Sequence, residues 1–197
     1  MQNKYPNLIN EADQAIYFGV ILNIDETKLL FESLQKNIEW RNETVVMFGK
    51  EITTKRKVAF YADHGIEYTY SNKTKTGLTW NEPLLKIKHS IENYTKASYN
   101  ACLLNLYHDG NEGMGWHSDD EKEIMPNSSI ASLSLGAERK FSFKNKVTKE
   151  TISIVLENGS LLEMKGNIQK NWWHAMPKTS KVSKPRINLT FRQMMLK

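Results

Sequence analysis

The segment Arg186-Ile-Asn-Leu-Thr-Phe-Arg192, near the end of the 197-residue chain, alternates strictly between polar and apolar side chains. Because successive side chains of a β-strand point to opposite faces, this pattern predicts a strand with one apolar and one polar face. If the apolar face packs in a core, both arginines turn into an interior or a groove. Buried cations are costly unless they meet an anion, and guanidinium pairs well with carboxylates. The segment therefore predicts a β-rich fold with an internal site that binds carboxylates. The alternative is an edge strand with solvated arginines.

Other short β-type segments fill the second half of the chain. They cover residues 101–107, 130–135, 140–143, 151–156, 160–164, 172–175 and 186–191, and turn residues such as Gly136, Asn158-Gly159 and Pro177 separate them. Seven or more short strands at this spacing predict a sandwich, a jelly roll or a barrel.

The first half predicts two helices with strands between them. Asp25 is expected to cap a helix that runs to about Trp40, and Asn81 to cap a second helix with Pro83 in its first turn. Residues 43–80 are rich in Thr, Tyr, Val and Lys, which favours strands and hairpins. We therefore expect helices packed on one side of a mainly β core.

Composition bounds the class of protein. Hydrophobic residues make up 40% and charged residues 25% of the chain, as in ordinary globular proteins, which excludes a disordered or fibrous chain. No apolar run reaches the length of a membrane span, the start does not resemble a secretory signal, and the single cysteine, Cys102, cannot form an internal disulfide. These features predict an intracellular protein without a membrane partner, located in the cytoplasm, or in the nucleus of a eukaryote.

The net charge of +5 is unevenly distributed. Residues 164–197 contain eight Lys and Arg and no acidic residue, whereas residues 1–163 contain 19 basic and 22 acidic residues. A basic region of this size permits a nucleic-acid partner without establishing one. Charge runs are more often solvated surface, but here apolar and aromatic residues interrupt the run.

Two sequence features suggest a metal site. In His117-Ser-Asp119 an imidazole and a carboxylate are two residues apart, so on an extended segment they project to the same side. With a second histidine they would form a set of two histidines and one carboxylate, which suits non-haem Fe(II). His174, which ends the run Asn171-Trp-Trp-His, is the best candidate for this third ligand, although alone it is more typical of a half-buried core histidine.

Asn105-Leu-Tyr107 places an amide and a phenol on one face of a predicted strand, just before the loop that leads to His117. Taken in order, the pair Asn-x-Tyr, the motif His-x-Asp, the late histidine and the ending Arg-x-Asn-x-Thr-Phe-Arg resemble the AlkB family of Fe(II)- and 2-oxoglutarate-dependent dioxygenases. The resemblance runs from about residue 48 to residue 192. It is closest to the DNA-repair dealkylases that act on duplex DNA, since residues 113–121, 129–136 and 159–162 also match that subgroup.

The resemblance implies a fold, a set of cofactors and residue roles. The fold would be α+β and mainly β: one domain over residues 1–197, with a nucleotide-recognition lid in residues 1–98 and a double-stranded β-helix, a jelly-roll variant, in residues 99–197. Fe(II), 2-oxoglutarate and O₂ would be required. By position, the metal ligands and catalytic residues would be His117, Asp119 and His174, and the residues that bind or support 2-oxoglutarate would be Asn105, Tyr107, Arg186, Asn188 and Arg192.

The resemblance also implies a substrate, an alkylated base flipped out of double-stranded DNA and oxidatively dealkylated by a monomeric enzyme. Tyr68 and Tyr70 match the lid segment that stacks on the base, and Asp120 and Glu121 match acidic positions that contact it. Carboxylates there would favour the positive charge of an N-alkylated adenine or cytosine. The alternative for these two residues is a solvated acidic turn.

Two further positions match DNA contacts of that subgroup. Phe48 lies in Val46-Met-Phe-Gly-Lys50, which resembles a hairpin finger that fills the gap left by a flipped base, although a buried strand end is an equal alternative. Arg56, in a Lys-Arg-Lys cluster, is expected to contact phosphates or the opposing strand. The rival hypotheses are an RNA or single-strand demethylase, a protein hydroxylase, and a non-catalytic nucleic-acid-binding jelly roll.

Overall fold

The computed structural model describes residues 5–10, 12–47, 50–70 and 73–196. Thirteen strands and three helices lie within these ranges. In chain order they are β1 (Asp13–Val20), α1 (Ile24–Asn37), β2 (Arg41–Met47), β3 (Lys50–Ala62), β4 (Glu67–Tyr70), β5 (Lys73–Thr76), α2 (Glu82–Thr95), β6 (Ala101–Tyr107), β7 (Met114–His117), β8 (Ile130–Gly136), β9 (Arg139–Asn145), β10 (Thr151–Leu156), β11 (Ser160–Gly166), α3 (Ile168–Asn171), β12 (Trp172–Met176) and β13 (Arg186–Arg192).

Two antiparallel sheets face each other and form a jelly roll. The larger sheet has the order β1-β11-β8-β13-β6-β3-β2, and the smaller has the order β10-β9-β12-β7. β4 and β5 form a separate hairpin. The predicted mainly β, jelly-roll class is confirmed, and each of the seven predicted segments of the second half is a strand.

β13 lies in the middle of the larger sheet and shows why its alternating pattern directs the fold. Its apolar residues Ile187, Leu189 and Phe191 are fully buried, and they pack in one cluster with Leu34 of α1 and Leu84 of α2. The opposite face of β13 looks toward the smaller sheet. One alternating strand thus separates an apolar layer beneath two helices from a polar layer between the sheets, which confirms the helices predicted on one side.

The helix ends show which side chains act as caps. The predicted cap Asp25 is wrong: Asn23 caps α1, because its side-chain oxygen accepts a hydrogen bond from the Glu26 amide at 2.9 Å while the Glu26 carboxylate accepts one from the Asn23 amide at 2.9 Å. Asp25 already lies in the first helical turn. The helix also ends at Asn37, short of Trp40, because Ile38 is extended. Asn81 caps α2 as predicted, accepting from the Leu84 amide at 3.1 Å.

Two strands were missing from the prediction. β1 pairs with β11 at one end of the larger sheet, and its neighbouring residues Ala15 and Ile16 are both buried, so it has no alternating pattern. β7 is only four residues long and contains a glycine. No helix in the described part of the chain is long and apolar enough to cross a membrane.

Candidate active site

The two predicted histidine ligands lie side by side in the smaller sheet. β7 and β12 are neighbours, His117 and His174 are paired in register, and their ring centroids are 4.3 Å apart. Asp119 follows two residues after His117. The strand pairing therefore brings together ligands that are 57 positions apart in the sequence.

The three side chains form a metal-ligand set. One ligand atom from each of His117, Asp119 and His174 lies within 4.8 Å of the others, and His117 Nε2 is 3.9 Å from Asp119 Oδ1. His117 Nδ1 donates to the Gly115 carbonyl at 2.9 Å, which leaves Nε2 available for a metal. The Asp119 amide donates to Gln169 Oε1 at 2.9 Å and fixes the backbone there. Two imidazoles and one carboxylate fit Fe(II) and leave coordination positions open.

Electrostatics hold these ligands in the forms that bind metal. Burial lowers the pKa of His174 to about 3, so its imidazole is neutral at neutral pH. Burial alone would raise the pKa of Asp119, but Arg192 and the two histidines outweigh it, and the net pKa is lowered. A neutral imidazole and an ionised carboxylate are the protonation states that coordination requires.

The two arginines of β13 have different surroundings. Arg192 is 3% exposed, and its Nη2 donates to Asp119 Oδ1 at 2.8 Å. Its Nη1 is 3.9 Å from Glu121. Arg192 is thus a direct neighbour of the predicted metal ligand Asp119.

Arg186 provides an anion site at the other end of the strand. It is 2% exposed, donates to Ser134 Oγ at 2.9 Å, and lies 5.6 Å from the Tyr107 ring centroid. Among the described residues no carboxylate forms an ion pair with Arg186, and its Nε is buried without a hydrogen-bond partner. Burial lowers its pKa to about 10, so it remains charged at neutral pH. A buried guanidinium with spare donors fits one carboxylate of a dicarboxylic acid such as 2-oxoglutarate.

A single cavity joins the metal ligands to this arginine. Asn105 and Tyr107 of β6 lie opposite Asn188 and Arg186 of β13, and all four line the cavity. Asn188 donates to Ser132 Oγ at 2.9 Å and to the Leu133 carbonyl at 3.0 Å, which holds its amide in place. The complete lining adds Leu103, Met114, Phe141, Met164, Met176, Ser132, Thr190 and Arg192 to the ligands.

A second cleft meets the metal ligands from the side of β2 and β3. It is lined by Glu43, Arg56, Met114 and Glu121, together with His117, Asp119 and Arg192. Arg56 is 7% exposed, forms a buried ion pair with Glu43 and donates to Met114 Sδ at 3.4 Å. Its contact with phosphates or the opposing strand stays a prediction, and in this structure Arg56 lines the cleft.

The remaining substrate positions differ in where they lie. Glu121 is half-buried at the cleft, but Asp120 is exposed and lines a neighbouring groove. The backbone of Tyr68 and Tyr70 forms β4 of the separate hairpin, and their side chains lie outside the described part of the chain. Phe48 also lies outside the described residues, so its role as a finger stays a prediction.

Sequence reasoning missed several residues that build the site. Ser132 and Ser134 alternate with buried leucines in β8, which is the same signal that revealed β13. Two other residues of the site carried no recognisable sequence signal. Met114 is a single apolar residue in a glycine-rich turn, and Glu43 is a single acidic residue in a strand with polar neighbours.

Comparison with known proteins agrees with this geometry. The model of the 2OG-Fe(II) oxygenase superfamily matches residues 14–192. The chain is 35% identical to the DNA oxidative demethylase ALKBH2 of Homo sapiens over 190 residues, covering 91% of this chain and 73% of that protein. It is 33% identical over 187 residues to the alpha-ketoglutarate-dependent dioxygenase alkB homolog 3 of Homo sapiens, covering 90% and 64%.

The fold also has a counterpart among solved structures. The structure of OsALKBH1 superposes with a TM-score of 0.68 at 16% identity, covering 95% of this chain and 100% of that one, which shows a shared fold. With the metal-ligand set, the buried arginine and the matches over most of its length, the chain belongs to the AlkB family of the 2OG-Fe(II) oxygenase superfamily and is an Fe(II)- and 2-oxoglutarate-dependent dioxygenase.

Proposed function

We propose that this enzyme repairs DNA by oxidatively dealkylating N-alkylated bases of the 1-methyladenine and 3-methylcytosine type. The observation that carries the proposal is one cavity that joins the ligand set His117, Asp119 and His174 to the buried, carboxylate-free Arg186. The relative ALKBH2 is named a DNA oxidative demethylase, and this name suggests the substrate class.

Each group of residues has a separate task. His117, Asp119 and His174 would hold Fe(II), which with O₂ and 2-oxoglutarate would supply the oxidising power for hydroxylation of the alkyl carbon. Arg186 binds the distal carboxylate of 2-oxoglutarate, with Asn105 and Tyr107 beside it, and Asn188 braces the cavity wall. Arg192 fixes the orientation of Asp119. The hydroxylated N-alkyl group then loses formaldehyde and the base is restored.

The cleft beside the metal ligands is the proposed base pocket. N-alkylated adenine and cytosine carry a positive charge, and Glu121 presents a half-buried carboxylate at the cleft. We extend the proposal to a flipped base in duplex DNA and to a monomeric enzyme. Residues 1–98 would supply the lid, with Tyr68 and Tyr70 on the base, Phe48 in the gap and Arg56 on the cleft wall, and residues 99–197 would supply the catalytic core.

Formaldehyde release tests this proposal directly. Purified enzyme is loaded with Fe(II) and supplied with 2-oxoglutarate and one methylated sequence presented as duplex DNA, single-stranded DNA or RNA. We expect one formaldehyde for each base restored, with duplex DNA turned over fastest.

One control variant and two contrary results decide the outcome of this test. His117→Ala, which removes one metal ligand, should release no formaldehyde. Preferred turnover of RNA would transfer the proposal to an RNA demethylase, and decarboxylation of 2-oxoglutarate that is stimulated by none of the three nucleic acids would overturn it in favour of another substrate class such as protein.

A further inference from the structure

The outer face of the smaller sheet carries two tryptophans behind the metal site. On β12 the side chains alternate, so Trp172 and His174 point inward while Trp173 points outward, opposite Lys144 of β9. On β7, Trp116 precedes His117, which is paired with His174. Trp116 and Trp173 therefore lie on adjacent strands, on the side of the sheet away from the cavity.

Each tryptophan is partnered by a lysine and accessible to solvent. Trp116 is 47% exposed, and Lys144 Nζ lies 5.8 Å from its ring centroid. Lys149 Nζ lies 5.0 Å from the ring centroid of Trp173, which is half-buried. An exposed indole is unfavourable in water, and two such rings beside ammonium groups form one aromatic and cationic surface. We call Trp116, Trp173, Lys144 and Lys149 the tryptophan platform.

The strands behind the tryptophan platform carry basic and no acidic residues. β7, β9, β10 and β12 contain no Asp or Glu, whereas β9 contains Lys140 and Lys144 on its outer face. The exposed Glu150 follows Lys149 in the loop after β9 and lies outside these strands. A second copy of the chain would place the same cations against each other, which disfavours a self-association surface.

We propose that the tryptophan platform binds unpaired nucleotides of a nucleic-acid strand, in addition to the base held in the active site. Indole faces stack on bases of any sequence, and lysines attract the phosphates between them, the combination by which single strands are held in other proteins. Paired bases in a duplex expose no face for such stacking, so the occupant must be a single strand or an opened flank. The inference rests on the proposed function only in that nucleic acid is the ligand.

Binding without catalysis tests the platform independently of dealkylation. The probe is a fluorescently labelled, unmodified oligothymidylate of about 12 nucleotides, titrated against metal-free enzyme and followed by anisotropy. We expect Trp116→Ala and Trp173→Ala each to weaken binding about fivefold or more, the lower end of the effect of removing one base–aromatic stack. Trp116→Phe, which keeps a ring, should retain most of the affinity.

The charged half of the platform has its own measurement. Lys144→Ala should reduce the dependence of log Kd on log salt by about 0.7, the value for one phosphate contact on a single strand. Lys36→Ala, which removes an exposed lysine from α1, is the matched control and should bind like the wild type.

The outcomes separate the two proposals. If the enzyme dealkylates DNA but both alanine variants at the tryptophans bind the probe within twofold of wild type, with unchanged melting temperatures, the platform is overturned. If dealkylation fails while the alanine variants lose probe binding, the platform stands without the proposed reaction. A change in oligomeric state in Trp116→Ala, seen by sedimentation, would instead assign the face to a second copy and also overturn the proposal.

Discussion

Arg186 and Arg192 begin and end the same strand, yet their neighbours differ. Arg192 donates to the Asp119 carboxylate, whereas Arg186 has no ion-pair partner among the described residues. Burying a cation without an anion is unfavourable, which fits the proposal that a co-substrate carboxylate binds Arg186. Two identical residues in one motif thus have different surroundings, and the proposed function gives them different tasks.

Asp119 and His117 are expected to differ in what their loss costs the metal-free protein. His117→Ala and Asp119→Ala should both abolish turnover because each removes a metal ligand. Only Asp119→Ala should also lower the free energy of unfolding, by about 3 kcal/mol, because the buried Arg192 loses its carboxylate. The side chain of His117 is 32% exposed and leaves no buried charge behind. Urea unfolding without metal measures the difference, and equal midpoints for the two variants would contradict it.

Arg186→Met should uncouple stability from the co-substrate. In the wild type loaded with Mn(II) under nitrogen, 2-oxoglutarate at 100 times its Kd should stabilise the fold by about 2.7 kcal/mol. The variant should show no such gain, because the guanidinium that binds the carboxylate is gone. Without 2-oxoglutarate it should unfold no earlier than the wild type, because an uncompensated buried cation has been removed. Thermal melts with and without the acid measure both effects, and a full ligand-induced shift in the variant would contradict the assignment.

At the scale of elements, Arg139 ties together the strands that carry the histidines. It is 2% exposed and begins β9. Its Nη2 donates to the Glu112 and Pro177 carbonyls, both at 2.9 Å, and its Nη1 to the Asp109 carbonyl at 3.3 Å. These carbonyls belong to the loop that enters β7 and to the segment that leaves β12. Burial lowers the pKa of Arg139, and its two Nη groups donate to backbone carbonyls and not to an acid.

Arg139→Met should therefore weaken both the fold and the metal site. Losing the donor to three part-buried carbonyls should cost about 3 kcal/mol, and the two strands should hold their histidines less closely. Urea unfolding and titration with Co(II) measure the two effects. Lys140→Met, one residue along and exposed, is the control that should change neither. If Arg139→Met binds Co(II) with wild-type affinity, the contacts of Arg139 stabilise the fold without affecting the metal site.

How much of the fold and of the site could be predicted depends on whether an element shows a regular alternation of apolar and polar residues. β13 and most of β8 alternate between apolar and polar residues, so both could be predicted as strands with one polar face. β6 begins with four apolar residues, and the roles of Asn105 and Tyr107 were expected from the family resemblance and not from a local pattern. β1 is buried on both faces and β7 is short, so neither carries the pattern. The inward turn of Arg56 depends on Glu43, a partner 13 residues away across a hairpin, which no local pattern reveals.

At the scale of the whole molecule, the basic residues of positions 164–197 include both buried arginines and exposed lysines. Arg186 and Arg192 are buried in the site, while Lys170, Lys178 and Lys181 are exposed. The net charge of this region therefore overstates the positive charge that a partner can contact at the surface. The strands of the smaller sheet contain basic and no acidic residues, which the sequence sum did not reveal because these strands are scattered along the chain.

The burial of the single cysteine shows that solvent is excluded from the middle of the larger sheet. Cys102 of β6 is 0% exposed, between Tyr61 of β3 and Phe191 of β13. We expect iodoacetamide to leave Cys102 unreacted in the native protein and to label it once urea unfolds the chain, with free glutathione as the positive control. Labelling of the native protein at the rate of glutathione would show that the sheet opens locally.

Burial also raises the pKa of the Cys102 thiol far above its usual range, and the thiolate is the form that electrophiles attack. The chemicals that methylate bases in a cell methylate sulfur as well. A repair enzyme with a reactive thiol would be poisoned by the same exposure that creates its substrate. Held protonated in the middle of a sheet, Cys102 offers these chemicals no reactive thiolate.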